Sequence, residues 1–157
     1  MEFAPERGGA WVGNFARGLG GVTAAVAHPD GRRVLVFAEG DLWSVDPESR
    51  AADEFAQAVE AFWLVREPDG FVLSVQGLAF LRVGPSGILW HTRRLSWDGF
   101  NAVQLSNETI SGEAWNAVED RWMPFEVNLA TGASAGGSFG SGDPEGWQRL
   151  ASPRDAA

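Results

Sequence analysis

Two stretches of this chain can be laid over each other. AVAHPDGRRVLVFAEGDLWSVDPES covers residues 25–49, and WLVREPDGFVLSVQGLAFLRVGPSG covers residues 63–87. Each runs as an apolar strand, a Pro-Asp-Gly turn, a second strand, a glycine turn, a third strand and a turn rich in Pro and Ser. The Pro-Asp-Gly turns begin at Pro29 and Pro68, which sets a period of about 40 residues. A third copy, AVQLSNETISGEAWNAVEDRWMPFEVNLATG at residues 102–132, carries Asn107-Glu108 where the others carry Asp-Gly. Asp-Gly between apolar runs signals a hairpin, because the tight turn needs positive φ at its central positions. A chain punctuated this way has little room for long helices, and its 20 glycines fit short strands and frequent turns.

A strand-and-turn period of this length resembles a propeller blade. The ending NLATG, Asn128 to Gly132, is similar to the turn that closes quinoprotein and WD-type repeats. The resemblance spans roughly residues 22–132 and lacks the Gly-His and Trp-Asp pair of WD repeats. Three units are also fewer than the 4–8 blades that close a propeller. The expected fold is therefore all-β: an antiparallel meander of three blade-like repeats forming a partial barrel or two packed sheets, with at most one or two short helices. The repeat units fall at about 22–50, 61–95 and 97–139, in one domain covering residues 1–157 with irregular ends. The block LWHTRRLSWDGFNAVQL followed by WMPFEVNLATGASAGGSF resembles small uncharacterised bacterial proteins, which implies an architecture and no chemistry.

Side-chain alternation sharpens the strands. In RRVLVFAEGDLWSVD, Val34, Val36 and Ala38 face one way and Leu35 and Phe37 the other, so this strand is covered on both sides. In RWMPFEVNL, Met123, Phe125, Val127 and Leu129 form the inward set, and Trp122, Pro124, Glu126 and Asn128 the outward one. Pro124 cannot donate to a ladder, which places that strand at an edge or a bulge. One segment reads differently. Phe55, Val59, Phe62 and Trp63 recur at i, i+4, i+7 and i+8 among alanines, which predicts a short helix from Ala52 to Ala61. Val36, Phe37, Leu42, Leu73, Val75, Phe80, Phe125 and Val127 are the expected core.

Composition removes several chemistries. There is no cysteine and no lysine, so disulfides, thiolate nucleophiles, Schiff bases and the P-loop lysine are excluded. Net charge is −9, which repels phosphate backbones and anionic membranes and favours a basic partner. The start, MEFAPERGG, carries no basic run before an apolar stretch, so a cytoplasmic location is expected. His28 and His91 stand far apart without metal-ligand spacing, and no G-x-S-x-G elbow is present. Glu113 and Glu126 could oppose each other across the NAVEDR turn, but they read as solvated charges. Asp143 lacks the repeated oxygen ligands of a calcium loop. No cofactor, metal site or catalytic residue is expected.

Eight tryptophans remain to be placed. Trp43 and Trp63 sit among apolar neighbours and are assigned to packing. Trp97 stands beside the turn Asp98-Gly99, and Trp147 lies in a Gly/Pro-rich tail, so these should be the more accessible. Flat rings with one N–H suit interfaces and sugar faces alike. The candidate binding set is Trp97, Asp98, Arg93, Arg94 and Trp115. The expectation is a non-enzymatic protein acting through protein–protein contact, in one version immunity- or antitoxin-like against a basic partner. The alternative is a carbohydrate or small-ligand module using exposed Trp side chains. Coplanar rings in a groove would favour that alternative, and a patch rimmed by Asp and Glu would favour protein contact.

Overall fold

A computed structural model describes residues 1–66 and 69–139. Among them the regular structure is all strand, with no helix. A small N-terminal pair, β1 (Glu2–Phe3) and β2 (Trp11–Val12), precedes three four-stranded antiparallel sheets. The first sheet contains β3 (Ala24–Ala27), β4 (Val34–Ala38), β5 (Asp41–Val45) and β6 (Ala52–Ala56). The second contains β7 (Val59–Arg66), β8 (Asp69–Val75), β9 (Ala79–Gly84) and β10 (Gly87–His91). The third contains β11 (Phe100–Leu105), β12 (Thr109–Asn116), β13 (Arg121–Asn128) and β14 (Ser134–Gly136). Each sheet is a meander whose sequence neighbours pair, and the three do not close into a barrel. The repeats are thus blade-like, with a fourth strand in each that the sequence pattern did not show.

The second sheet is the middle layer. Phe71, Leu73 and Val75 of β8 pack with Leu35, Phe37 and Leu42 of the first sheet. Val72 of β8 and Phe80 of β9 turn the other way and pack with Ile110, Ala114, Phe125 and Val127 of the third. Strands covered on both faces must be apolar on both, and the burial of β8 and β9 is nearly continuous. The same holds for β4: Leu35 and Phe37 join the first cluster, while Val36 joins a third cluster with Phe3 and Val45. All eight expected core residues are buried.

That third cluster is the contribution of the N-terminus, expected to be irregular. Phe3 stacks on Trp11 at 4.4 Å, Phe15 approaches Trp43 at 5.9 Å, and together they cover the outer face of the first sheet. Glu48 accepts hydrogen bonds from the Glu6 and Arg7 backbone N–H groups at 2.6 and 3.3 Å, and the Trp11 indole N–H donates to the Pro47 carbonyl at 2.9 Å. β1 and β2 pair only with each other, so the lid is held by side chains and loop contacts, not by a shared ladder.

Three expectations change. The Ala52–Ala61 helix is instead β6, a bend and the start of β7. Ala58 at the bend has φ 50, a left-handed conformation that no helix tolerates in its interior. The apolar spacing suits both structures: a register shift between Val59 and Ala61 interrupts the alternation, so that Val59 and Phe62 both reach the first core and Trp63 the second. Pairing of β6 with β5 and of β7 with β8 then satisfies the backbone.

The second Pro-Asp-Gly motif is also not a turn in the sense of the first. Val65 pairs with Gly70 and Arg66 with Asp69, so Asp69 and Gly70 lie inside β8. Pro68 itself falls outside the described residues. A Cβ at Gly70 would lie 2.1 Å from the Val83 carbonyl oxygen, so glycine is needed there for close approach of β9. The tight turn of the expected kind is Glu39-Gly40 between β4 and β5, with φ 50 and 93.

Pro124 marks neither a sheet edge nor a bulge. β13 is flanked by β12 and β14, and its ladder with β12 is regular. The last β14 pair is Phe125 with Gly136, and the Pro124 carbonyl accepts from Gly137 N–H at 2.8 Å. Pro124 therefore sits one step past the β14 ladder, where no N–H is required of it.

Candidate functional site

The first sheet is lidded and the second is sandwiched, but no core cluster forms on the outer face of the third among the described residues. This face carries the outward set of β13 together with alternate residues of β12. Register places Trp115 opposite Trp122, Glu113 opposite Pro124, and Ser111 opposite Glu126. Glu113 and Glu126 are thus not opposite each other across the hairpin.

The two indoles meet edge to face, with centroids 5.1 Å apart and planes at 61°. Trp122 is 40% exposed, the largest value of any tryptophan whose side chain is described as exposed, with Trp97 close behind at 38%. On one side of the pair stands Glu113, whose carboxylate accepts from the Asn101 side-chain amide at 3.3 Å. On the other, the turn after Asn116 carries Glu119 and Asp120, and Glu119 pairs with Arg121. The Asn116 side-chain oxygen holds that turn by accepting from the N–H groups of Val118 and Glu119, at 3.0 and 3.2 Å. Carboxylates therefore lie at both ends of the aromatic pair.

The SWDG loop is stitched to the same corner. Trp97 N–H donates to the Trp115 carbonyl at 3.0 Å, and Trp115 N–H donates to the Ser96 hydroxyl at 3.0 Å. The fully buried Ser96 hydroxyl also donates to the Gly99 carbonyl at 2.6 Å. Arg94 donates to the carbonyls of Ser96 and Trp97, at 2.9 and 3.0 Å, and lies 4.1 Å over the Phe139 ring. Its distance from the Trp97 ring is 5.5 Å, and Trp97 lies 4.8 Å from Phe139. Arg93 donates to the carbonyls of Arg94, Gly136 and Phe139. Both arginines are therefore occupied in holding the loop and the end of the third sheet together.

Four of the five expected site residues, Trp97, Asp98, Arg93 and Arg94, thus lie around one loop, and backbone hydrogen bonds join Trp115 to them. Trp122 and Phe139 were not anticipated. Trp122 belongs to the outward set of β13, and centring the hairpin on the NAVEDR turn sets it opposite Trp115. Trp147 lies outside the described residues. Asp98 is exposed at the loop tip, where burial first and the Asp98 charge second raise the pKa of Glu60.

The remaining titratable groups are dispersed. The His28 side chain is fully buried in the β3–β4 loop, with Nδ1 accepting from the Asp30 N–H at 3.1 Å and Nε2 without a partner. Burial, then the Arg33 charge, lower its pKa. Burial alone would raise Asp30, but the Arg33 and Arg32 N–H groups and the Arg33 guanidinium outweigh it and hold that carboxyl well below its usual range. His91 is exposed at the end of β10. A cleft of about 600 Å³ lies beside Leu64–Arg66 and Leu105–Glu108, with Arg66 and Glu108 as its charged lining. Among the described residues no group of three or more His, Asp and Glu side chains could hold a metal ion.

Fold and site together define an all-β repeat protein of three meander sheets, lidded at one end and presenting an acidic, tryptophan-bearing face at the other. No family model matches the chain, and no match is found among curated proteins or solved structures.

Proposed function

We propose that the protein is a non-enzymatic binding protein, and that it meets a basic protein partner through the outer face of the third sheet. The observation that carries this reading is the Trp115–Trp122 pair, set among carboxylates on the one sheet face without an apolar cover among the described residues. End repeats of stacked architectures carry a polar outer face to stay soluble. Asn101, Glu113, Glu126 and Asn128 serve that need, whereas an exposed tryptophan does not. Large aromatic anchors within a polar rim are the usual composition of an interface centre.

The acidic surroundings would steer a cationic partner and accelerate encounter in a salt-dependent way. An immunity- or antitoxin-like role is the form of this function that the charge favours. The 61° angle between the indoles suits an anchor better than a flat platform for a sugar ring. Trp97 and Asp98 extend the same contact along the loop.

The test is affinity capture with the full chain, comparing wild type with Trp122→Ala and Trp97→Ala. A partner retained by wild type, weakened by added salt and lost with Trp122→Ala supports the reading. Capture that is indifferent to Trp122 and Trp97 and to salt refutes it.

A further inference from the structure

We infer that the Trp115–Trp122 corner is a seat for an arginine side chain of the protein partner. This inference rests on the binding reading above and specifies its chemistry.

The corner has two walls. The rings stand at 61° with centroids 5.1 Å apart, so a planar group laid on the exposed Trp122 face would have the second indole beside it. Glu113 is two positions before Trp115 on β12, hence on the same face and about 7 Å along the strand. Glu119 and Asp120 follow in the turn beyond the pair. A cation resting on the indole would therefore find carboxylates on both sides.

The charge carried by the third sheet itself is one-sided, and Arg93 and Arg94 beside it are turned to backbone carbonyls. From Phe100 to Phe139 the chain carries Glu108, Glu113, Glu119, Asp120 and Glu126, against Arg121 as its single basic residue. Arg121 is already paired with Glu119. Charge complementarity thus calls for a cation supplied from outside.

Guanidinium fits this corner better than ammonium. It is planar and weakly hydrated, stacks on an indole face, and keeps its N–H fork in its own plane parallel to the ring, free to reach carboxylates at the ring's edge. An ammonium is a compact, strongly hydrated point charge that loses more water to sit there. The same protein shows the geometry internally. Arg94 lies over Phe139 and beside Trp97 while its N–H groups donate to the Ser96 and Trp97 carbonyls. At the Trp115–Trp122 corner the rings are present with carboxylates along the same face, and among the described residues no guanidinium lies over them.

The experiment uses the full chain and two peptides of equal length and charge, one carrying arginine and the other lysine. Binding is read from tryptophan fluorescence and from the indole N–H signals in NMR spectra. The arginine peptide should bind about 5-fold or more tightly than the lysine peptide, with the Trp122 and Trp115 indole signals moving most. Trp122→Ala should weaken it about 10-fold, Trp122→Phe by less, and Glu113→Gln by a salt-dependent amount. Equal binding of the two peptides, or an unchanged affinity in Trp122→Ala, overturns the arginine seat. So does an indole of Trp122 that neither peptide reaches because residues 140–157 of the chain cover it. If the captured protein partner still requires Trp122 while arginine is not preferred, only this inference fails. If neither partner nor peptide depends on Trp122, the binding reading fails with it.

Discussion

Phe80 is the residue that joins the second sheet to the third, and its removal should show how the stack is held. Its side chain is fully buried, with Phe100 at 4.5 Å, Phe125 at 5.3 Å and Trp63 at 6.1 Å. Truncating a buried Phe to Ala costs about 3–5 kcal/mol through lost transfer energy and the cavity left behind. Aromatic pairs add about 0.5–1.5 kcal/mol each beyond their buried area. Three such neighbours place Phe80→Ala near the upper end, at about 5 kcal/mol. Domains of this kind are stable by only about 5–15 kcal/mol in total, so the variant should be close to unfolding. Phe80→Leu keeps most of the volume and should lose about 1.5 kcal/mol or a little more. Urea denaturation followed by tryptophan fluorescence would measure both. The Leu variant should keep the wild-type slope with a lower midpoint. A loss below about 1 kcal/mol for Phe80→Ala would mean that the second and third sheets do not pack through this ring.

Three further outcomes are expected. His28 is held neutral by burial, so its contribution is fully present above its unfolded value of 6.5 and is lost as pH falls below that. Asp30 adds a second loss below its ordinary value of 3.8. The denaturation midpoint should therefore drop between pH 7.5 and 5, and His28→Phe should flatten that drop; an unchanged slope in the variant would exclude His28 as its source. Ala58→Gly should be neutral or stabilising by up to about 1 kcal/mol, because the strained φ of 50 disappears; a loss above about 1 kcal/mol would show that the bend is not left-handed. Trp97→Ala should cost less stability than Trp43→Ala, since Trp97 is 38% exposed while Trp43 packs under the N-terminal lid; the reverse order in thermal unfolding would make the SWDG block structural.

Much of the fold is legible where one face of a strand has a single reading. The outward set of β13 and the two-sided β4 follow from alternation, because a period of two cannot be shifted without exposing the core. The segment around Phe55 to Trp63 is not legible in that way. Its apolar spacing satisfies a helix stripe and two short strands equally, and only the pairing with β5 and β8 decides. The N-terminal lid is likewise hidden, because Phe3, Trp11 and Phe15 are isolated aromatics, the last two between glycines, without a period that announces burial. At the candidate site, the SWDG loop was visible as a turn with an exposed ring. The facing of Trp122 and Trp115 is hidden because setting Glu113 opposite Glu126 shifts the register and leaves Trp115 facing Pro124, and only the ladder decides between the two.

Binding through the third sheet requires its outer face to be open, acidic and anchored by Trp122. Fluorescence quenching of the full chain by caesium, iodide and acrylamide, with Trp122→Phe subtracted to isolate its signal, tests this without any partner. With each quencher normalised to its effect on free tryptophan, the Trp122 component should be accessible to acrylamide and quenched more by the cation caesium than by the anion iodide, with the difference shrinking as salt is raised. A Trp122 component shielded from all three quenchers, or quenched preferentially by iodide on the same normalised scale, would rule out an open acidic face.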